Sequence, residues 1–172
     1  MNSEAARRRL LDARQWAAVA LATCAGLTFI PALCCPRDSR ATGAGIIGSL
    51  AGLLTLRWLP AQPLEQALML VGGCLISVAV SDVAEEALGR TDDPRIVVDE
   101  WIGMWITMAF LPRGAAAMVA GFALFRAFDV FKTAPIRRLS RLPGGWGVVM
   151  DDVLAGIFAN IVLRGVLFVL SR

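Results

Sequence analysis

Apolar residues along this chain fall in six blocks, set apart by proline, glycine and charge. The run from Trp16 to Cys35 is uncharged over twenty residues and alone meets the rule of about 18 consecutive apolar residues for a spanning helix. Ala41–Leu56 and Gln66–Ser81 are uncharged but slightly short. Three later blocks carry ionisable residues: Ile96–Leu111 with Asp99 and Glu100, Gly114–Phe131 with Arg126 and Asp129, and Val148–Leu170 with Asp151, Asp152 and Arg164. Breaks fall at Pro60 and Pro63, at the polar stretch from Glu85 to Arg95, at Pro112 and Gly114, and at Pro143-Gly144-Gly145. The pattern predicts an all-α, membrane-embedded helical bundle of five to six short helices. A basic segment over 1–15 precedes a single membrane domain over 16–172.

Composition agrees with that placement. Of 172 residues, 57% are hydrophobic and 18% charged, too apolar a balance for an ordinary soluble domain. Arg7, Arg8 and Arg9 ahead of the first block suggest a signal peptide, but twenty uncharged residues exceed a typical h-region and more membrane-like sequence follows. A retained first membrane helix is therefore expected. Cys24, Cys34, Cys35 and Cys74 form no C-x-x-C pair and read as small hydrophobes. The net charge of +3 suits anionic lipid head groups, and no basic tract with interleaved aromatics points to nucleic acid. The chain has no histidine, which removes the commonest general base and the usual zinc ligand.

The acids are placed informatively. Asp82 and Glu85 end the third block, Asp99 and Glu100 start the fourth, Asp129 nears the end of the fifth, and Asp151 and Asp152 start the sixth. In an antiparallel series these ends share one side, together with Arg126, Lys132 and the glycine-rich stretch Gly43–Ser49, read as a small-residue loop. Acids at helix starts also serve as dipole and capping partners, and Arg126, Asp129 and Lys132 at i, i+3 spacing could form an internal ion-pair ladder. Such a ladder has no need of the other four acids. Asp82, Glu85 and Asp92 are second-rank candidates, more simply explained as solvated ends. Converging carboxylates without histidine or paired cysteine make a hard oxygen site, suited to Mg²⁺ or Mn²⁺ and poorly suited to zinc. Arg126 and Lys132 are the cations a phosphate monoester needs.

Three stretches then carry a resemblance: Ile96–Ile106 with Asp99-Glu100, Phe125–Lys132 with Arg126 and Asp129, and Gly144–Gly156 with Asp151-Asp152. In order and spacing they are similar to the phosphatidylglycerophosphatase A family, and Gly48-Ser49 resembles the end of an upstream glycine motif. The likeness runs from about Gly43 to the C-terminus. Ile46 stands where the family usually has threonine, Thr133 where proline usually follows the lysine, and 34–40 looks like an insertion. The resemblance implies Mg²⁺-dependent hydrolysis of phosphatidylglycerophosphate to phosphatidylglycerol and phosphate, in a bacterial inner membrane. Asp99, Glu100, Asp129, Asp151 and Asp152 are expected to include the metal ligands and the base, with Arg126, Lys132, Gly48 and Ser49 on the phosphate. Water activated on the cation is the favoured nucleophile, with a covalent aspartyl-phosphate as the alternative. The implied partners are the substrate and membrane lipid, and an oligomer is compatible with the sequence.

Rival chemistries are weaker. Cys34 and Arg40 match the C-x5-R spacing of cysteine phosphatases, but Pro36 removes a backbone donor and the intervening loop lacks glycine. Histidine-dependent lipid phosphatases are excluded by composition, and the spaced Asp-Gly and Ala-Arg pattern of CDP-alcohol phosphotransferases is absent. The non-enzyme alternative is a small transporter or assembly subunit using buried carboxylates as a cation or proton path. If every block spans, cations divide eight to seven between the acid side and the other. If the first block re-enters or lies in the interface, they divide twelve to three. A cytoplasmic active site in a multi-pass protein is expected from where the family's substrate is made.

Overall fold

The structure, a computed structural model, describes residues 12–34 and 43–172. Arg40, which the C-x5-R reading needs beside Cys34, and the basic run Arg7–Arg9 lie outside the described residues. The described chain is all helical: α1 (Ala13–Ala22), α2 (Phe29–Cys34), α3 (Ala44–Thr55) with a 3-10 turn to Trp58, α4 (Pro63–Leu88), α5 (Val98–Thr107), α6 (Ala115–Phe131), α7 (Ala134–Leu139) and α8 (Gly145–Leu170).

The helix count exceeds expectation because the first block is not one helix and because the short α7 forms between the fifth and sixth blocks. Asp12 and Gln15 cap α1 reciprocally, and the helix ends after ten residues, about 15 Å, too short to cross a bilayer. The Ala22 carbonyl accepts from the Val97 N–H at 2.8 Å, and Cys24, Ala25 and Gly26 turn the chain through positive φ. The Thr28 hydroxyl then donates to the Arg95 carbonyl at 2.7 Å. Both ends of this turn are thus pinned to the 95–97 segment. Freedom from charge allowed a long helix here, but tertiary hydrogen bonds stopped it.

The opposite correction applies to α4 and α8. The blocks interrupted by charge or judged short lie within helices of 26 residues, whose apolar windows have mean hydropathies of 2.0 and 2.3. Charge ends an apolar run without ending a helix. Pro63 opens α4 at its first turn, where no N–H is needed, and Gly89 closes it at φ 69°, donating to the Glu85 carbonyl at 2.9 Å. These two are the described helices long and apolar enough to cross a membrane. Only 28% and 22% of their apolar windows is buried inside the protein.

α5 lies at the centre, flanked by α3, α4, α6 and α8. Phe125, Met104, Met108, Val149 and Leu163 fill the core around it. Its C-terminal carbonyls, at apolar depth, are satisfied from α8: Asn160 Nδ2 donates to Ile106, Thr107 and Ala109 oxygens, and Arg164 donates to Ala109 O and Asn160 Oδ1. Arg164, an ionisable residue inside an apolar block, is thereby explained without catalysis. Replacing Asn160 by leucine is expected to lower unfolding free energy by about 1–3 kcal/mol, because it takes the side-chain donor from the buried Thr107 carbonyl and the acceptor from Arg164 Nε, while Ile106 and Ala109 keep their other donors. Thermal unfolding in detergent measures this, and an unchanged midpoint would count against the capping role.

Candidate active site

Four helix ends converge as the spacing of acids predicts. α5 contributes Asp99 and Glu100 in its first turn, α6 contributes Arg126 and Asp129 in its last turns, and α8 contributes Asp151 and Asp152 about two turns in. The fourth is the N-terminal end of α3, whose glycines set the spacing. The stretch expected as a loop is helical from Ala44 onward. Its Gly45, Gly48 and Gly52 lie against α5 so closely that side chains would not fit. A Cβ at Gly48 would come 2.5 Å from the Val97 carbonyl, and one at Gly52 2.8 Å from the Trp101 carbonyl. A Cβ at Gly45 would fall on Glu100 Oε1 and 2.8 Å from Arg126 Nη1. The i, i+3/i+4 spacing of these glycines is the signal of a helix-packing face.

The carboxylates sort into two kinds. Asp129 and Asp151 have cationic partners: Arg126 Nη1 lies 2.8 Å from Asp129 Oδ2, and Lys132 Nζ lies 2.5 Å from Asp151 Oδ2. The alternative of an internal ion-pair ladder is only half present, since Lys132 reaches across to α8 instead of back to Asp129. Burial by itself would lower the Lys132 pKa, but the charge and hydrogen bond of Asp151 outweigh it and raise it, so the ammonium stays charged. Asp99, Glu100 and Asp152 are different. One oxygen from each lies within 4.8 Å of the others, and Asp99 Oδ1, Glu100 Oε2 and Asp152 Oδ2 are buried without a hydrogen-bond partner. Arg126 approaches Glu100 only to 3.9 Å.

Buried unpaired carboxylate oxygens that face one another repel and are costly. Such a donor set, all hard oxygen, fits a small divalent cation held by one oxygen from each residue. No described nitrogen or sulfur ligand joins the group, so its donors are all oxygen.

The remaining candidates sit around this group. Ser49 is fully buried, donates to the Gly45 carbonyl at 2.8 Å and accepts from Arg126 Nη1 at 3.4 Å. Gly48 is a packing position against Val97. Asp82 accepts from the Gly145 N–H at 2.6 Å and so tethers the start of α8 to α4. Asp92 donates its N–H to Glu85 Oε1. Outside the site, Asp93 is held by Arg95 at 2.5–3.0 Å; burial would raise its carboxyl, but the guanidinium outweighs that and lowers it.

Glycines missed as candidates fix the geometry. α5 and α8 cross at Gly103 and Gly156, where a Cβ on Gly156 would lie 2.5 Å from the Gly103 carbonyl and one on Gly103 2.6 Å from the Phe125 ring. Each glycine lies one helical turn beyond an acid of the unpaired group, Asp99 and Asp152. Glycine inside an apolar helical block, where it costs about 1 kcal/mol relative to alanine, was the available signal. Trp101 and Trp105 complete the α3–α5 contact by donating to the Thr55 hydroxyl at 2.8 and 2.9 Å.

No solved structure matches this chain. Among curated proteins, phosphatidylglycerophosphatase A of Escherichia coli strain K12 is 38% identical over 120 residues, 67% of this chain and 69% of that protein. Phosphatidylglycerophosphatase A of Haemophilus influenzae strain Rd is 38% identical over 128 residues, 69% of this chain and 76% of that protein. A Bacteroides thetaiotaomicron protein named "Putative phosphatidylinositol-3-phosphatase" is 42% identical over 81 residues, 45% of this chain and about half, 51%, of that relative's length. The sequence profile of the phosphatidylglycerophosphatase A family matches residues 20–167, a span that holds every residue of the carboxylate group and both cations beside it. By that match and these identities, the chain belongs to the phosphatidylglycerophosphatase A family.

Proposed function

We propose that this protein is a Mg²⁺-dependent phosphatidylglycerophosphatase, hydrolysing phosphatidylglycerophosphate to phosphatidylglycerol and phosphate at the cytoplasmic face of a bacterial inner membrane. The observation that carries the reading is the group of three buried, unpaired carboxylate oxygens on Asp99, Glu100 and Asp152, with Arg126 and Lys132 beside it. Asp99, Glu100 and Asp152 would hold the cation. When bound, it supplies charge neutralisation and water activation. Arg126, oriented by Asp129 and Ser49, and Lys132, oriented by Asp151, bind the non-bridging oxygens of the terminal phosphate. A carboxylate of the group takes the proton of the attacking water as its oxygen bonds phosphorus. The phosphorus–oxygen ester bond breaks, and the released glycerol oxygen takes the proton back from that carboxylate, which regenerates the base.

Family membership favours this reading over a cation or proton path, because the same carboxylates then have a phosphate ester to act on. Orientation is supported by charge. Among the described residues, Arg90, Arg95, Lys132, Arg137, Arg138 and Arg141 stand at the carboxylate end, against Arg57, Arg113 and Arg172 at the other, leaving aside Arg14 on α1 and Arg126 and Arg164 within helices. Six to three accords with a cytoplasmic carboxylate end.

The test is phosphate release by purified protein in detergent, with phosphatidylinositol-3-phosphate as the comparison substrate. EDTA is expected to lower the rate by about 10²-fold or more, and added Mg²⁺ to restore it. Activity that survives EDTA and is lost on cysteine alkylation would overturn the carboxylate mechanism and point to Cys34.

A further inference from the structure

The connection between α6 and α8 holds four cations and no acid: Lys132, Arg137, Arg138 and Arg141. Lys132 is committed to Asp151. The three arginines are exposed, and among the described residues none pairs with a carboxylate; Arg137 donates only to the Lys132 carbonyl, at 3.2 Å. Cations at the opposite end are committed. There Arg113 is spent on the Leu56 and Pro60 carbonyls, Arg57 stacks on Trp58 and Arg172 on Phe168. The difference is not slack in the chain, because Ile136 is fully buried and anchors α7 against α8.

Large apolar side chains stand exposed on both flanks of the arginines: Val130 and Phe131 at the end of α6, Leu142 and Trp146 at the start of α8. Arginines bracketed by exposed aromatic and aliphatic groups, directly ahead of a helix long enough to cross a membrane, match the boundary between head groups and acyl chains. We infer that α7 and its flanks form a basic interfacial collar that recruits anionic phospholipid head groups of the surrounding leaflet to the mouth of the carboxylate site. The guanidiniums pair with head-group phosphates, while Phe131, Leu142 and Trp146 hold the segment at that depth. The collar's Lys132 end is the end that touches Asp151, so lipid gathered there lies beside the site.

The test reads lipid contact without catalysis. A fluorophore is placed by Ser140→Cys in a background whose native cysteines are serine, and the protein is reconstituted in phosphatidylcholine vesicles. Quenching by head-group spin-labelled phosphatidylglycerol is compared with quenching by spin-labelled phosphatidylcholine. The anionic quencher is expected to be about fivefold more effective at low salt, with the preference fading as salt rises. The same label at Gln62→Cys, at the opposite end, is expected to show parity. Combining Arg137→Gln, Arg138→Gln and Arg141→Gln is expected to bring position 140 to parity, and the three lysine substitutions to keep the preference. Parity in the wild-type collar, or a preference that survives the glutamine variant, would overturn the proposal. A kinetic arm rests on the phosphatase reading: the glutamine variant raises KM for vesicle-borne substrate and leaves kcat unchanged. Absence of any phosphatase activity would sink that reading while the quenching result still decides the collar.

Discussion

Asp152→Asn is expected to lower kcat for phosphate release by about 10²–10⁴-fold while the protein folds as before. Asp152 is 2% exposed, its Oδ2 has no hydrogen-bond partner, and one of its oxygens lies within 4.8 Å of carboxylate oxygens of Asp99 and Glu100. Asparagine keeps the shape and removes the negative charge. Three facing carboxylates repel when no cation lies among them, so the substitution relieves repulsion in the metal-free protein. The melting temperature without Mg²⁺ should therefore hold or rise, and the stabilisation Mg²⁺ gives the wild type should shrink. Thermal unfolding with and without Mg²⁺, run beside the activity assay, separates loss of the cation site from misfolding. Wild-type kcat together with an undiminished Mg²⁺ shift would remove Asp152 from the site.

The second large effect falls on a residue with no chemistry of its own. Gly156→Val is expected to lower kcat by about 10²-fold, the size of effect that a displacement of about 1 Å can produce. The added side chain meets the Gly103 carbonyl, with the Ile106 Cβ at 3.2 Å. α8 must move off α5, and Asp152 moves with it relative to Asp99 and Glu100. Gly165, also on α8, has nothing within 4 Å of its Cβ position. Gly165→Ala is therefore the matched control, expected to keep kcat and to gain up to about 1 kcal/mol of stability from helix propensity. Equal kcat for Gly156→Val and wild type would show that the crossing does not set the site.

The candidate residues were legible because chemistry leaves marks that survive without a fold. Acid pairs beside apolar sequence, an arginine and a lysine three residues to either side of Asp129, and the total lack of histidine narrowed the site to hard-oxygen phosphate chemistry. Helices α3, α5, α6 and α8 fell within or close to the predicted blocks, since proline and glycine mark ends locally. The first block and α4 did not follow the pattern. Charge density reports where water can reach, whereas helix length is set by the backbone's hydrogen bonds. At Ala22 the next partner came from Val97, far along the chain.

Alone, the sequence determined the composition of the site: which acids, which cations, no imidazole, and a helical scaffold too apolar for water. Only the tertiary structure decided how those groups divide. Asp129 and Asp151 are neutralised by Arg126 and Lys132, while Asp99, Glu100 and Asp152 keep unpaired oxygens. The reason is spatial: five acids read alike in one dimension, and pairing depends on how closely α3, α5 and α8 approach. That approach is set by Gly45, Gly48, Gly103 and Gly156, residues whose contribution is the absence of a side chain.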